Sequence, residues 1–283
     1  MKKNLISASI AALLAASAFN AVAEEASPLS FNVGAVSDYV FRGISQTHGG
    51  AALQGGVDYA FSNGFYIGAW GSQVTWVKDW LGSGSTEIDF YGGYKGSINA
   101  DWSYDVGAIA YTYPGHGKAT QTGLANPNTT EAYGAVTWKW LTAKYSYTLS
   151  PNFVGWYGGP ALDKNTRGSD YLELNANYDL GNGWAVQGHI GHQNVENSVA
   201  VGTIKSASYS DWKIGVTKDV GFGVVGLAYS DTDVSGSCNS RTGSTTNPYC
   251  WGDNGSGSAG TLPNRGFKDV SKGVAVLSFT KTF

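Results

Sequence analysis

Residues 170–183 read DYLELNANYDLGNG, and in this stretch apolar and polar residues alternate one by one. One face would carry Leu172, Leu174, Ala176, Tyr178 and Leu180, and the other Glu173, Asn175, Asn177 and Asp179. This period of two is typical of a β-strand with one apolar and one polar face. The glycines and asparagine of 181–183 then predict a tight turn into a second strand.

On both sides of this stretch, segments of about the same length recur along the chain, and in many of them apolar and polar residues alternate in the same way. The predicted strands are 30–42, 51–61, 65–76, 86–96, 100–112, 130–140, 142–150, 170–180, 184–195, 209–218, 223–232 and 272–283. Short turns alternate strictly with long links, which are 43–50, 77–85, 113–129, 151–169, 196–208 and 233–271. This order is typical of transmembrane barrels with short periplasmic turns and long extracellular loops, whereas a soluble β-sandwich has no reason to keep it. We therefore predict an all-β fold, a transmembrane antiparallel β-barrel of about 12 strands.

The N-terminal residues have the pattern of an export signal. Lys2 and Lys3 precede an apolar run over 5–18, and 21–23 (AVA) is the small-x-small pattern cut by a signal peptidase. We expect residues 1–23 to be a signal peptide and 24–283 to be the barrel. No later apolar run approaches the roughly 20 residues of a helical span, which excludes a helical inner-membrane protein.

Composition narrows the function classes further. The chain holds 40 Gly, 17 Tyr and 10 Trp but only 14% charged residues, a balance that favours strands over helices. The net charge of −3 argues against nucleic acid as a partner, because phosphate binding needs a clustered basic face. In an exported chain, Cys238 and Cys250 predict a disulfide and not a metal site. That bridge would lie in a long extracellular loop, 233–270.

Aromatic residues gather near the predicted strand ends, as in the two interfacial bands of membrane barrels. The band at the short turns would hold Phe61, Phe65, Tyr94, Trp102, Trp138, Trp140, Tyr178 and Trp184, and the band at the long loops Tyr39, Phe41, Trp76, Tyr171, Tyr209 and Trp212. Phe279 and Phe283 on the amphipathic last strand resemble the assembly signal read by the barrel-assembly machinery, although Lys281 interrupts the apolar face.

Four motifs carry a resemblance to a known family. They are SDYVFRG at 37–43, ALQGGVDY at 52–59, GFYIGAW at 64–70 and EIDFYGGY at 87–94. Together with the ending SFTKTF they resemble the TorF-type porin family, a conserved hypothetical outer-membrane family. The resemblance implies a bacterial outer-membrane barrel with a pore role. It offers no catalytic or binding residues to transfer.

The polar strand faces would line the lumen, since a basic side chain facing lipid at mid-depth costs about 2–4 kcal/mol. The lining candidates are Arg42, Asp58, Glu87, Asp89, Lys95, Asp105, Glu131, Lys144, Glu173, Asn175, Gln187, His189 and Lys213, with Gln54, Asp101, Lys139, Asp179 and Gln193 in the same set. Acidic and basic groups are mixed. The acid-rich first half of the lining suggests a weak preference for cations or neutral solutes over anions.

Twelve strands lie between the eight that leave space just for side chains and the 16–18 of an aqueous pore. We therefore predict a porin-like channel for the passive diffusion of small polar solutes or ions. A closed or plugged barrel with a structural or adhesin role is the alternative, in which charges pair across the lumen and fill it. Loop 233–270 would fold over the mouth.

A third hypothesis, less favoured by the sequence than a channel or a plugged barrel, is an outer-membrane hydrolase. His48 and His116 fall in predicted loops, His189 and His192 would face opposite sides of one strand, and no G-x-S-x-G elbow stands out. We therefore predict that the protein is not an enzyme and binds no cofactor. We also predict no metal site, because Asp231, Asp233, Asp253 and Asn254 do not have the spacing of a known calcium loop. The expected partners are outer-membrane lipids and lipopolysaccharide, the barrel-assembly machinery and small solutes.

Overall fold

The computed structural model describes residues 27–117, 125–156, 165–198, 206–239, 246–251 and 267–283. The expected signal peptide, 1–23, lies outside the described residues. In chain order the elements are β1 (Leu29–Val36), β2 (Val40–Phe41), β3 (Ile44–Ser45), β4 (Ala52–Ala60), β5 (Phe65–Gln73), α1 (Trp76–Leu81), β6 (Thr86–Ser97), β7 (Trp102–Thr112), β8 (Thr129–Trp138), β9 (Leu141–Thr148), β10 (Asp170–Gly181), β11 (Trp184–Asn194), β12 (Tyr209–Asp219), β13 (Val224–Thr232), β14 (Cys250–Trp251), β15 (Lys268–Asp269) and β16 (Val274–Thr282).

Twelve of these strands form one closed antiparallel barrel, which confirms the predicted fold class. Going round the wall, the order is β1, β16, β13, β12, β11, β10, β9, β8, β7, β6, β5 and β4. Each strand pairs with its neighbours in the chain, and β1 closes the ring by pairing with both β4 and β16. Two small pairs, β2 with β3 and β14 with β15, lie outside the wall. Closure leaves the barrel itself without an unpaired edge.

The wall exposes apolar side chains on its outer face and buries polar ones inside, the reverse of a sheet in a water-soluble protein. Leu172, Ile190 and Ile214 on its outer face have 57%, 60% and 63% of their surface exposed, whereas Glu131 and Glu173 on the inner face have 1% and 8%. Soluble proteins rarely expose a continuous apolar area of more than a few hundred Å². An apolar exterior around a polar interior is the surface of a transmembrane barrel, which faces lipid.

The connections alternate as the sequence predicts. At one end, the short-turn end, the strands are joined by 61–64, 98–101, 139–140, 182–183 and 220–223, and at the other, the long-loop end, by 37–51, 74–85, 113–128, 149–169, 195–208 and 233–273. In the turn of the DYLELNANYDLGNG stretch, Asn182 and Gly183 both have positive φ, 52° and 77°. Tight hairpin turns require this conformation, which asparagine and glycine adopt most readily.

Two predicted strands end earlier than expected. The strand placed at 30–42 stops at Val36, and residues 37–50 fold into the barrel mouth; we call them the inward hairpin. The strand placed at 65–76 stops at Gln73, and residues 76–81 form α1, which ends at Gly82 with φ 81°. In both places the alternating pattern runs on past the point where the chain leaves the wall.

The aromatic band at the short-turn end is present in the structure. Exposed rings there include Phe61, Phe65, Trp102, Trp138, Trp140, Tyr178 and Trp184, and several pack against one another, such as Trp140 against Tyr178 at 5.7 Å between ring centroids.

The band predicted at the long-loop end is wrong for most of its members. Tyr39, Trp76, Tyr171 and Tyr209 are at most 6% exposed and point into the molecule, whereas Trp212 is exposed. Other exposed rings of the outer face are Tyr145, Tyr147 and Tyr229. The loops and the barrel interior bury the rings that sequence position alone assigned to the interface.

The buried apolar side chains form a cluster that runs from inward-facing residues of the wall to the long-loop end. Its part at the long-loop end, the aromatic cap, consists of Trp76, Trp156, Tyr209, Tyr249 and Trp251, with ring centroids 5.1–6.2 Å apart where they pair. The predicted disulfide is present, with the Cα atoms of Cys238 and Cys250 5.5 Å apart. It anchors the segment that brings Tyr249 and Trp251 onto the cap. Within the described ranges, no helix is long and apolar enough to cross a membrane.

Candidate functional site: the barrel interior

The inward hairpin is held together by one buried carboxylate. Asp38 accepts hydrogen bonds from the hydroxyls of Ser45 at 2.6 Å and Thr47 at 2.9 Å, which join its two arms. Burial raises the pKa of Asp38, and the two hydroxyl donors partly offset that rise. The backbone of Ser45 also donates to the carbonyl of Val270, so the hairpin is tied to the last long loop.

The tip of the hairpin is a two-residue turn, Arg42–Gly43, in which φ is 47° and 77°. Two positive φ values mark the tight turn type that matches strand twist. A positive φ is unfavourable for arginine, so contacts elsewhere must hold it there. Those contacts are across the lumen: the guanidinium forms two hydrogen bonds to Glu131 of β8, at 2.7 and 3.0 Å, and one to Gln193 of β11 at 2.8 Å.

Aromatic groups enclose this ion pair. The Arg42 guanidinium lies 4.3 Å from the ring centroid of Tyr171, and the Tyr209 hydroxyl donates to the Arg42 carbonyl at 2.7 Å. Tyr111 donates to Glu131 at 3.2 Å. Burial by itself lowers the pKa of Arg42, but the Glu131 carboxylate reverses this and leaves the pKa raised, so the group stays charged. We call Arg42, Glu131, Gln193, Tyr111 and Tyr171 the Arg42 latch.

A second network extends from the latch through His189. Its Nε2 lies 2.9 Å from Asp211 Oδ1, and its Nδ1 lies 2.7 Å from Asn175 Oδ1. Asn175 donates its own amide to Glu173 at 2.8 Å, so its oxygen is left as an acceptor. Tyr171 donates to the other Asp211 oxygen at 2.7 Å. The Tyr171 hydroxyl also lies 2.8 Å from Nε2, so both ring nitrogens of His189 are within hydrogen-bond distance of oxygens of this network.

Two further carboxylates lie beside the latch, on β6. Glu87 accepts a hydrogen bond from Tyr39 of the inward hairpin at 2.8 Å. Asp89 is 5% exposed, and its Oδ1 has no hydrogen-bond partner among the residues that the structure describes. Together with Glu131 they make this side of the interior rich in buried carboxylates.

The short-turn half of the interior is built from tyrosine–carboxylate pairs. Tyr66 donates to Asp105 and Tyr91 donates to Asp58, both at 2.7 Å. These tyrosine rings lie over glycines of the neighbouring strand: a Cβ on Gly68 would come within 2.4 Å of Tyr91. The tyrosine rings are buried here too, but the carboxylates Asp58 and Asp105 are half-buried, in contrast to the nearly complete burial of Glu131 in the latch.

A cavity remains on the other side of the inward hairpin. It is bounded by β1, β4, β11, β12, β13 and β16. We call it the side passage. Its polar lining residues are Asp38, Arg42, Gln54, Gln187, His189, Asp211, Lys213, Thr217, Ser230 and Ser278. The carboxylates of Glu87, Asp89, Glu131 and Glu173 are absent from this lining.

The thirteen lining candidates fall into separate groups. Arg42 and Glu131 belong to the latch, Glu87 and Asp89 lie next to it, and Glu173, Asn175 and His189 form the second network. The short-turn half holds Asp58, Lys95, Asp105 and Lys144, with Lys95 4.9 Å from the Tyr66 ring and Lys144 4.7 Å from the Tyr133 ring. Gln187, His189, Lys213 and Arg42 border the side passage. Asp101 and Lys139, which sequence reasoning added, form an exposed pair at the short-turn end, 3.6 Å apart.

Sequence reasoning missed Asp211 and the interior tyrosines. Period two carried the necessary signal, because Tyr171 has the same parity as Glu173 and Asn175, and Tyr209 the same parity as Lys213. Their position near strand ends assigned them instead to an interfacial band.

The four histidines lie apart. His48 Nδ1 is 3.3 Å from Asp79 of α1, His116 Nδ1 is 2.8 Å from the Gly117 carbonyl, and His192 contacts Ser210 near the outer surface. In the part of the chain that the structure describes, no three His, Cys, Asp or Glu side chains are grouped to hold a metal ion.

Comparison with solved structures finds porins. A KdgM porin is 8% identical, with 90% of this chain and 98% of the porin covered and a TM-score of 0.47. A NanC porin is 10% identical, with 90% and 97% covered and a TM-score of 0.42. The outer membrane protein opdK from Pseudomonas aeruginosa is 10% identical, with 92% and 68% covered and a TM-score of 0.39. No curated protein matches the chain.

A family model matches most of the sequence. It covers residues 20–252 and describes a bacterial protein of unknown function, Gcw_chp. The TorF-type name suggested by the sequence motifs stays a prediction. This chain therefore belongs to the Gcw_chp family of bacterial proteins of unknown function.

Proposed function

We propose that this protein is a porin-like channel of the bacterial outer membrane that lets small polar solutes or ions diffuse passively. The observation that carries the proposal is the side passage, a cavity with polar lining groups inside a closed barrel whose outer face is apolar. The apolar face suits lipid, and the polar lining suits water and hydrated solutes. Outer-membrane lipids and lipopolysaccharide would contact the exterior, and the barrel-assembly machinery would insert the chain.

The inward hairpin would act as the constriction of this channel. It crosses the lumen from the loop between β1 and β4 to Glu131 and Gln193, so it fills one side and borders the cavity on the other. A pore narrowed in this way would pass small solutes and exclude large ones.

A plugged barrel with a structural or binding role is the second candidate. It is favoured by the latch and by the aromatic cap, which fill much of the long-loop half with buried side chains. In that case the outer loops would supply the functional surface.

Recording from purified protein in planar lipid bilayers separates the two candidates. A channel gives discrete conductance steps in KCl, and proteoliposomes containing it swell in a small neutral osmolyte. A plugged barrel gives neither. Arg42→Ala serves as a positive control, because this variant should release the hairpin from the opposite wall. If the wild-type protein gives no conductance but the variant does, the wild-type barrel is plugged.

A further inference from the structure

The charges of this barrel are distributed unequally between the two sides of the inward hairpin. Behind it lie Glu87, Asp89 and Glu131, which are at most 5% exposed and engaged with or adjacent to Arg42. In front of it lies the side passage, whose lining omits all three. A solute that moves through the passage would therefore not meet most of the carboxylates that the sequence counts toward the lumen.

Within the described ranges, Asp38 and Asp211 are the two carboxylates that border the passage, and both are already hydrogen-bonded. Asp211 accepts from Tyr171 at 2.7 Å and lies 2.9 Å from His189 Nε2, and Asp38 accepts from Ser45 and Thr47. Donors that satisfy a carboxylate weaken its attraction for a passing cation. Lys213 adds a basic group to the same lining. The local charge is therefore close to neutral and not acidic.

The remaining polar lining consists of amides and hydroxyls. Ser230 donates to the Trp212 carbonyl, Ser278 to the Gly226 carbonyl, and Gln54 Nε2 to Ser72 Oγ. With those donors used, their oxygens are left as hydrogen-bond acceptors. The hydroxyl groups of a polyhydroxylated solute are donors that match such acceptors.

Resting on the proposed channel function, we propose that the side passage takes small neutral polyhydroxylated solutes and does not select cations. Apolar side chains beside the polar groups, Val36 and Val276, would contact the carbon face of such a solute.

The test combines a reversal potential in a KCl gradient with swelling of proteoliposomes in arabinose, a neutral pentose. We expect swelling in arabinose and a K⁺/Cl⁻ permeability ratio near or below unity. Clear cation selectivity, or KCl conductance without pentose uptake, would overturn the substrate class while leaving the channel intact. Absence of any conductance would overturn the channel itself and the inference with it.

A matched pair of variants examines the lining directly. Lys213→Gln removes a charge that borders the passage, whereas Lys144→Gln removes one that pairs with Glu173 at 3.9 Å and lies outside that lining. Lys213→Gln should raise the K⁺/Cl⁻ ratio about two- to five-fold, the effect in water of one charge a few ångström from the ion. Lys144→Gln should change it less. An equal change in both variants would contradict the assigned route, provided that both retain the folded barrel's heat-modifiable migration on gels.

Discussion

The latch side and the passage side of the lumen lie on different strands of one barrel, with β11 bordering both, and they are built in opposite ways. On the latch side, Arg42 and Glu131 are 5% and 1% exposed and bonded at two points. On the passage side, amides and hydroxyls border a cavity. A barrel can therefore enclose many charges and yet present few of them to a solute, because charged side chains that pair with one another also fill the lumen.

The largest effect should come from breaking the latch. Arg42→Ala leaves the buried Glu131 without its partner, and loss of one member of a buried ion pair costs about 3–5 kcal/mol. We expect easier thermal unfolding in detergent and a higher single-channel conductance, since the hairpin tip is no longer held across the lumen. Arg42→Lys keeps the charge but not the bidentate geometry. Its thermal stability and conductance should therefore lie between those of the wild type and Arg42→Ala. Unchanged conductance and stability in Arg42→Ala would show that the latch does not hold the hairpin.

The disulfide should have the next largest effect, and a local one. Cys238 and Cys250 are 12 residues apart, and closing a loop of that size stabilises by about 3 kcal/mol on the chain-entropy model. Reduction should release the segment that carries Trp251 onto the cap and make it accessible to protease, with the barrel wall intact. Cys238→Ser without reductant should give the same digestion pattern. If the oxidised and reduced proteins are cut equally slowly, the aromatic contacts alone hold this segment.

A smaller effect distinguishes tyrosine–carboxylate pairs whose carboxylate is buried from pairs whose carboxylate is half-buried. Tyr171→Phe keeps the ring beneath Arg42 but removes the donor to buried Asp211, which should cost about 1–3 kcal/mol. Tyr91→Phe removes the donor to Asp58, a half-buried carboxylate to which water can donate instead, and should cost less. Comparison of the two thermal midpoints checks this. Equal losses would mean that water does not reach the short-turn half.

The smallest effect is expected outside the lumen. Lys139 and Asp101 are about half exposed and 3.6 Å apart at the short-turn end, where an ion pair contributes about 0–1 kcal/mol. Lys139→Ala should leave the thermal midpoint and the conductance close to those of the wild type. A marked change in conductance would indicate that this end, and not the hairpin, limits the passage.

The sequence predicts the wall well because the constraint is local. Alternation forces each strand to place one face in lipid and the other in the interior, and turns such as Asn182–Gly183 can be recognised from residue type. The strand positions and the alternation of short and long connections are confirmed on that basis.

The inward hairpin could not be predicted because its position depends on contacts that are distant in the chain. Arg42 is separated from Glu131 by 89 residues and from Gln193 by 151, and no local pattern encodes such pairings. The motif around it reads as a strand continued from β1. For the same reason, Tyr39 and Trp76 were assigned to an interfacial band, whereas the loops that bury them are arranged by tertiary packing.

Closure between β1 and β16 has a kinetic consequence. Asn32 of β1 pairs with Thr282 of β16. The two strands that complete the ring therefore come from opposite ends of the sequence. Such non-local pairing is slow to form, and until it forms, β1 offers a free edge to which a strand of another chain can add. The hairpin that follows β1 is bonded to Val270, shortly before β16. Its entry into the lumen is therefore coupled to the last step of folding, and a chain stalled at that step would be both open and prone to aggregate.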